Sequence, residues 1–201
     1  LLFTIKDKPI ISKQPAKMKI SFKYLPVKLK MFLVFTFLFA LGNSSNQFIL
    51  LKIQKETGSL IIMLVAYLIF NLVYAVGSIP CGKISDIIGQ KYVLITGYLV
   101  YGVVYWLLAI GGSIPFYMIV SGLYGFYMAL TEGVEKSLVS QLAPLELRGS
   151  LLGLHATLVG FGLLPASIIT GFLWQTFSPQ VAFGFGGTLG FLAAIGLFCI
   201  L

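Results

Sequence analysis

Six long apolar stretches follow one another along the chain, separated by short polar connections. Each is about as long as the 20 residues that a helix needs to cross the hydrocarbon core of a bilayer. Membrane β-strands would alternate in polarity over about ten residues, and these stretches do not. The pattern predicts an all-α, polytopic membrane protein whose six transmembrane helices lie at about residues 31–51, 60–81, 92–111, 116–139, 149–174 and 181–201.

Charged side chains are rare and segregated along the sequence. Only 10% of the 201 residues are charged, whereas a soluble domain carries about a quarter. No Asp, Glu, Lys or Arg occurs in residues 60–82, 92–131 or 149–201. An ionised side chain at the bilayer centre costs about 3 kcal/mol or more. We therefore expect these three stretches to lie within the membrane.

Residues 1–30 differ from the rest of the chain because they carry eight lysines against a single acid, Asp7. A basic segment beside an apolar run is typical of a cytoplasmic flank near anionic lipid, and we favour this over binding to nucleic acid. We divide the chain into a basic linker, residues 1–30, and a transmembrane domain, residues 31–201. Because the sequence begins at Leu1 and not at Met, we expect it to be part of a longer protein.

The distribution of lysine and arginine predicts the orientation. With the linker in the cytoplasm, the connections that carry Lys83, Lys91 and Arg148 lie on the cytoplasmic side too. The opposite face carries two lysines, partly offset by Glu56. Basic residues are enriched in cytoplasmic loops. We therefore expect both termini in the cytoplasm and place the protein in the cell membrane.

The connection between spans two and three contains the pattern G-x-x-x-D-x-x-G-x-K, formed by Gly82, Asp86, Gly89 and Lys91. We expect a tight hairpin in which Gly82 permits close helix packing and Gly89 adopts a left-handed conformation without steric cost. Asp86 is an anion that can meet a helix N-terminus or Lys91.

A second pattern, P-x-x-x-R-G, lies between spans four and five and ends at Arg148 and Gly149. Arg148 either anchors the end of span five, or pairs with Glu146, or is a solvated positive charge in a turn.

Together these motifs resemble those of the major facilitator superfamily, with Ile87 and Gln90 standing where that family usually has basic residues. Such a weakened motif resembles the copy in the C-terminal half. The resemblance implies a six-helix half built as a 3+3 inverted repeat, an N-terminal six-helix half as partner, and transport by alternating access. It also implies that spans one, two, four and five face the cavity, while spans three and six lie outside.

Span four carries the least expected charges, Glu132, Glu135 and Lys136. Glu132 and Lys136 share a helix face because they are four residues apart. An ionisable group inside a membrane is a functional candidate, so Glu132 either carries a coupling proton or meets a cationic substrate. The alternative is an internal ion pair that fixes packing. We expect Glu135 and Lys136, nearer the cytoplasm, to be gate or surface residues.

Polar side chains in the other spans are candidates for the cavity wall. Amides in lipid need partners or water, so Asn43, Asn46 and Gln47 of span one are candidates for substrate contact, with inter-helix hydrogen bonding as the alternative. Asn71 and Tyr74 of span two are further candidates for the same cavity.

Span five contains the chain's one histidine, His155, and a proline, Pro165. His155 is either a neutral residue bonded to a neighbouring helix or a proton relay, because imidazole titrates near neutral pH. Pro165 is expected to kink its helix. In span six, Gly186 and Gly190 have the spacing that permits close helix packing.

These observations favour a secondary transporter of a small solute, proton-coupled when complete. The sequence has no phosphate loop, metal cluster or nucleophile–base set, so we expect no enzyme, no cofactor and no metal. The expected partners are the lipid bilayer, an N-terminal six-helix half and an unidentified small-molecule substrate, with no nucleic acid. The alternatives are a half-size dimeric membrane protein, a membrane enzyme completed by residues outside this chain, and a non-transporting scaffold or sensor.

Overall fold

The computed structural model describes residues 25–200, so the lysines from Lys6 to Lys23 lie outside the described residues. Within the described part, the regular structure is entirely helical, with six helical segments long and apolar enough to cross a membrane. This confirms the predicted all-α membrane architecture. The elements are α1 (Val27–Gly42), α2 (Gln47–Thr57), α3 (Leu60–Ile88), α4 (Gln90–Ile110), α5 (Ile114–Leu142), a 3-10 turn (Leu145–Leu147), α6 (Arg148–Thr176) and α7 (Pro179–Ile200).

The first span is broken in the middle, where the sequence predicted one continuous helix. It consists of α1 and α2, separated by residues 43–46. Asn43 leaves the helical region with φ −87° and ψ 79°. Asn and Ser side chains offer the backbone local hydrogen bonds that compete with the helix, and four such residues follow Gly42 in succession. The cluster of amides therefore marks an interruption of the helix as well as a polar face.

The other helices are longer than the apolar stretches. α3 runs on through Pro80 and the first part of the G-x-x-x-D motif to Ile88, so the predicted hairpin reduces to a turn at Gly89. Gly89 has a positive φ of 99°, as expected for a glycine that reverses the chain. α6 likewise continues across Pro165, and α1 begins at Val27, inside the segment that we assigned to the linker.

The helices pack in a pattern that brings sequence-distant spans together. α3 packs chiefly on α5, α4 on α7 and α5, and α1 on α7 and α6. We call the end of the bundle with the α3–α4 turn the Gly89 end, and the end with the α4–α5 turn the Gly111 end. Both the α3–α4 and the α5–α6 connections lie at the Gly89 end because consecutive spans run in opposite directions.

Glycines of α7 allow that helix to lie directly against its neighbours. A Cβ atom at Gly186 would lie 2.7 Å from the carbonyl oxygen of Gly42, and one at Gly190 would lie 2.6 Å from the Tyr101 ring. Real Cβ atoms do not make contacts this short. The predicted close packing at Gly186 and Gly190 is confirmed, and it occurs within this bundle.

α3 and α6 are the least buried of the six spans, whereas α4 is the most buried. On α3, Ile61 and Ile79 are exposed, and on α6 Leu164 and Ile168 are exposed. Spans two and five thus present broad apolar faces that nothing within residues 25–200 covers. Span three buries its tyrosine face within this six-helix bundle and exposes Leu99 and Val103 on its other side.

Candidate functional site

The break in the first span is held by tyrosine hydroxyls from α4 and α5. The Tyr101 hydroxyl donates a hydrogen bond of 2.7 Å to the carbonyl oxygen of Gly42. The Tyr105 hydroxyl lies 3.4 Å from Ser44 Oγ. Both tyrosines are fully buried in the core. Because a break in a membrane helix frees backbone groups that lipid cannot satisfy, these hydroxyls stabilise the interruption.

Two tyrosines of α5 complete the arrangement. The Tyr124 hydroxyl donates to Asn46 Oδ1 at 2.5 Å, and Asn43 Nδ2 donates to the Tyr127 hydroxyl at 3.2 Å. The inter-helix bonding that we weighed for the amides is therefore present. Sequence reasoning missed the tyrosines of both α4 and α5. The spacing of tyrosines at 98, 101 and 105 along α4 was a signal, since residues three and four apart share a helix face.

Asn43 and Asn46 also line a cavity of about 290 Å³ in which α1, α5 and α6 meet. The Asn43 Oδ1 atom is buried and has no hydrogen-bond partner among the described residues. A buried unpaired amide oxygen costs about 1–3 kcal/mol, so a hydrogen-bond donor brought to this atom would stabilise the site. The wall of the cavity also includes Phe39, Thr36, Tyr124, Tyr127, Met128, Thr131, Glu132, Glu135, Val159 and Leu163.

Gln47, Asn71 and Tyr74 are not part of this cavity wall. Gln47 lies in two neighbouring clefts, one of which it shares with Ser45 and Ser167. The Ser45 N–H donates to Ser167 Oγ at 3.3 Å and so ties the break to α6. Asn71 Nδ2 donates to the carbonyl oxygen of Tyr67 in its own helix at 2.8 Å.

Glu132 and Tyr74, predicted separately, are brought together. The Tyr74 hydroxyl donates to Glu132 Oε2, which joins α3 to α5. Glu132 Oε1 lies 3.9 Å from Lys136 Nζ, as the four-residue spacing indicated, and the Glu132 side chain is 47% exposed. Lys136 is 62% exposed. Glu132 is therefore an accessible carboxylate of the cavity wall with a lysine beside it.

Glu135 lies deeper than Glu132. Its side chain is 13% exposed, which removes the surface position that we considered for it. The Tyr98 hydroxyl donates to Glu135 Oε1 at 2.9 Å. Glu135 Oε2 lies 3.4 Å from His155 Nε2, without hydrogen-bond geometry. The His155 side chain is 5% exposed, and its ring stacks on Phe32 with centroids 6.3 Å apart.

At the Gly89 end, the motif residues line a second cleft, of about 280 Å³, between α3 and α5. Gly82 and Asp86 belong to its wall, but a Cβ atom at Gly82 would meet nothing within 4 Å, so the close packing expected there is not present. Lys91 Nζ lies 5.6 Å from the centre of the Phe198 ring, and no described ion pair joins it to Asp86.

The start of α4 is held by a residue that sequence reasoning treated as a departure from the motif. Gln90 Nε2 donates to Ser137 Oγ of α5 at 2.5 Å. Arg148 is exposed at the start of α6, and within residues 25–200 no ion pair joins it to Glu146. The three options for Arg148 thus narrow to an anchor or a solvated charge.

At the Gly111 end, where we expected loop charges, a buried lysine pairs with a partly exposed glutamate. Lys52 is only 1% exposed and pairs with Glu56 one turn later. Glu56 also accepts a hydrogen bond from the Tyr117 hydroxyl. This network joins α2 to the start of α5.

Polar groups of the cavity form a column along one face of α5. It begins at Tyr124 and Tyr127 beside the break, continues through Glu132 and Glu135, and ends towards the Gly89 end. Amide and phenol groups bind polar solutes by hydrogen bonds, and carboxylates bind cations or protons. The arrangement provides both kinds of group in one cavity.

Comparison with known proteins gives the family. The family model described as Major Facilitator Superfamily matches residues 32–201. The chain is 37% identical over 205 residues to an uncharacterized MFS-type transporter of Methanocaldococcus jannaschii, MJ1317, a match that covers 99% of this chain and 51% of the relative.

A second relative in the same organism is the uncharacterized MFS-type transporter MJ1560. It is 33% identical over 128 residues, which are 63% of this chain and 33% of that protein. The chain thus spans about half the length of the first relative and about a third of the second. The match over six apolar helices confirms the resemblance noted in the motifs, and this integral membrane chain belongs to the major facilitator superfamily.

Proposed function

We propose that this chain is one six-helix half of a secondary transporter, which moves a small solute across the membrane by alternating access. The observation that carries the proposal is the interrupted first span, whose amides face a cavity at the middle of the bundle. Broken helices near the bilayer midplane are the usual place for substrate and coupling-ion sites in secondary transporters. Both relatives named above are described as MFS-type transporters.

The helix pairing supports a 3+3 inverted repeat. Suppose that spans one, two and three are exchanged with spans four, five and six, respectively. The contact between spans two and four (α3 and α5) then becomes the contact between spans five and one (α6 and α1). The same exchange turns α4–α5 into α7–α1 and maps α4–α7 onto itself. All of these pairs are in contact. An internal two-fold relation of this kind underlies the rocking motion of many transporters.

The exposed faces of α3 and α6 support an N-terminal half as partner. These two spans are the least buried within residues 25–200, and the chain spans about half of its first relative. A second six-helix half would cover these faces and close the other side of the cavity. The lipid bilayer is the expected partner of the remaining apolar surface.

The orientation that we propose places both termini in the cytoplasm of a cell membrane. Lys83 and Arg148 are exposed at the Gly89 end, where basic residues are expected on the cytoplasmic side. At the Gly111 end, by contrast, Lys52 is buried and paired with Glu56. The charge difference between the two ends therefore supports the predicted topology.

The chemistry of the cavity wall favours a neutral or cationic solute. Its polar groups are amides, phenols, two threonine hydroxyls and two carboxylates, and its described lining holds no lysine or arginine. The nearest lysine, Lys136, already lies beside Glu132. An anionic solute would face two carboxylates here without a cation to offset them.

The test uses the full-length protein reconstituted in liposomes. A panel of labelled neutral and cationic solutes is screened for binding and then for exchange across the membrane. Asn43→Ala and Asn46→Ala are each expected to weaken binding about tenfold, since each removes a hydrogen bond to a buried polar group. The matched control is Asn71→Ala, because Asn71 bonds to its own helix and does not line the cavity.

Three results would contradict this function. Unchanged solute affinity in both Asn43→Ala and Asn46→Ala would remove the cavity from the mechanism. A start codon directly before Leu1 would favour the half-size dimer. Bound solute without any exchange would favour a sensor.

A further inference from the structure

A groove lies between the end of α4 and the start of α7, at the Gly111 end of the bundle. Its volume is about 560 Å³, and its wall shares no residue with that of the cavity beside the break in the first span. Trp106 and Ile110 of α4 form one side, and Val181 and Phe185 of α7 form the other. All four side chains are exposed. The groove therefore opens to the surroundings of the bundle, which between two membrane spans are hydrocarbon.

The groove exists because Gly184 has no side chain beside Trp106. A Cβ atom at Gly184 would meet its nearest neighbour, the Trp106 ring, only at 3.9 Å. At Gly187, one turn later, a Cβ atom would lie 2.8 Å from the same side chain. Close helix packing thus accounts for the glycine at 187 but not for the one at 184. Gly184 instead leaves an indentation in the surface of α7, with Trp106 as one of its walls.

The lining of the groove suits an apolar occupant. No Asp, Glu, Lys or Arg belongs to its described lining. Its one hydroxyl group, that of Thr188, donates a hydrogen bond of 2.8 Å to the carbonyl oxygen of Gly184 in the same helix. In a bilayer, association depends on van der Waals packing, because lipid tails are as apolar as the side chains. A groove offers a hydrocarbon chain more such contacts than a flat helix face does.

The groove has a polar group at its mouth. Gln180 is the second residue of α7 and is exposed, and among the described residues no hydrogen bond involves its side chain. From Gln180 to Thr188 the groove extends for eight residues, or about 12 Å at 1.5 Å per residue. One leaflet contributes about 15 Å of hydrocarbon. An apolar groove of nearly this length, with an amide at the membrane boundary, matches the tail and the head group of a lipid.

The charges at the Gly111 end favour a head group without net charge. Residues 92–131 and 149–201, which include α7 and most of α4, contain no charged side chain. Glu56 lies close to the α4–α5 turn, but Lys52 already pairs with it. The other lysine of this end, Lys55, lies over the Trp174 ring of α6. No cation of the groove is therefore placed to bind an anionic head group.

Two other occupants fit the surface less well. The N-terminal half is expected on α3 and α6, whose faces are the least buried. A second copy would form a two-fold contact in which the same patch meets itself. The groove of one copy would then face the groove of the other, and neither would be filled. A single flexible chain enters such a groove without this restriction.

We propose that the α4–α7 groove binds one bilayer lipid, whose tail lies along Gly184 and Trp106 and whose head group, of no net charge, bonds to Gln180. The site is separate from the central cavity and goes beyond the proposed function, because it requires only that the chain lies in a membrane. The bound lipid fills the indentation between spans three and six and so adds to the packing of these two helices.

The test titrates the full-length protein in detergent with phosphatidylcholine that carries bromine on its tails. Bromine quenches the fluorescence of a tryptophan that it touches, and the difference from Trp106→Phe isolates the signal of Trp106. We expect the quenching to saturate at a single lipid per protein and to be reversed by unbrominated phosphatidylcholine, a measurement that needs no further variant. Gly184→Leu places a side chain in the groove and is expected to abolish the saturable quenching.

Two variants complete the design. Gln180→Leu is expected to weaken binding about threefold to tenfold, through the loss of a hydrogen bond. Leu192→Phe is the matched control, because Leu192 is exposed on the same helix and does not line the groove, and it is expected to bind as the unmodified protein does. Size-exclusion profiles establish that each variant is folded.

Saturable quenching that disappears in Gly184→Leu and persists in Leu192→Phe supports the site. Quenching that rises in proportion to the added lipid would reduce the groove to generally solvated apolar surface, and saturable quenching unchanged in Gly184→Leu would place the lipid elsewhere. No quenching of Trp106 would mean that the N-terminal half or a second copy covers the groove. Stronger displacement by anionic phosphatidylglycerol than by phosphatidylcholine would refute the neutral head group. None of these outcomes depends on solute exchange, so the transport function stands or fails separately.

Discussion

The Tyr101 hydroxyl donates a hydrogen bond of 2.7 Å to the carbonyl oxygen of Gly42, at the point where the first span stops being helical. This bond, together with the contact between the Tyr105 hydroxyl and Ser44 Oγ, connects α4 to the interruption beside the cavity. It lies in a fully buried layer in which Tyr98, Tyr101 and Phe39 pack ring against ring. The tyrosines of α4 thus act as rigid supports for an irregular segment of backbone.

Tyr101→Phe is expected to destabilise the protein by about 0.5–1.5 kcal/mol, because it removes one of the two hydrogen bonds to the buried Gly42 carbonyl while the ring remains and the Ser44 N–H still donates. Thermal unfolding of the full-length protein in detergent measures the loss. Tyr92→Phe is the control, since Tyr92 is exposed and no described hydrogen bond involves its hydroxyl. Equal stability of the two variants would show that the break does not need the phenol.

Gly187→Ala is expected to cost about 1–3 kcal/mol through overpacking. The new methyl group would lie 2.8 Å from the Trp106 side chain and 3.0 Å from the carbonyl oxygen of Gly102. Gly184→Ala is the matched control one turn earlier, because its methyl group would meet its nearest neighbour only at 3.9 Å. The same unfolding assay applies. A tolerated Gly187→Ala would mean that α4 and α7 separate more easily than their packing indicates.

Gly89→Ala is expected to destabilise the α3–α4 turn by about 1–3 kcal/mol, because a φ of 99° is a strained conformation for an L-residue. Gly82→Ala, within helix α3 and with nothing in 4 Å of its new methyl group, is expected to be neutral or slightly stabilising. Denaturation monitored by tryptophan fluorescence compares the two. If both variants behaved alike, backbone strain at Gly89 would be refuted.

Glu56→Gln is expected to cost about 1–3 kcal/mol, because it leaves the buried Lys52 ammonium without its carboxylate, although water already screens the pair on the side of Glu56, which is 34% exposed. Lys52 is 1% exposed. The double variant Lys52→Met with Glu56→Gln is expected to recover most of the loss, since it removes both charges. Lys55→Met serves as the control for the general effect of losing a lysine at this end. A double variant no more stable than Glu56→Gln alone would argue against the ion pair as the cause.

The course of the chain through the membrane could be predicted from the length of its apolar stretches. The errors in that prediction were confined to short segments. The first span was taken as continuous because its mean polarity stays low, whereas Asn43 and its neighbours end the helix by competing for backbone hydrogen bonds. The motif before Gly89 was taken as a hairpin because it is polar, yet α3 remains helical to Ile88. Polarity indicates where a chain meets water, and helices extend beyond the membrane boundary.

The sequence predicted which polar residues form the candidate site better than it predicted the contacts that they make. Asn43, Asn46 and Glu132 do line one cavity, because polar groups in an apolar span must face partners or water. Glu135, which we expected at the gate or the surface, lines the same cavity. The Asn71 side chain instead donates a hydrogen bond to the Tyr67 carbonyl oxygen of its own helix. A list of polar residues does not reveal which of them bond within their own helix.

By itself, the sequence determined that this protein lies in a membrane as six helices, because the cost of burying charge and the thickness of hydrocarbon act on each span separately. It also determined the family, through motifs and similarity along residues 32–201. Only the tertiary structure decided which polar groups meet: Tyr101 with Gly42, Lys52 buried beside Glu56, and Glu135 facing His155 across two helices. Those pairings depend on the relative rotation and depth of helices, which packing sets and no single span encodes.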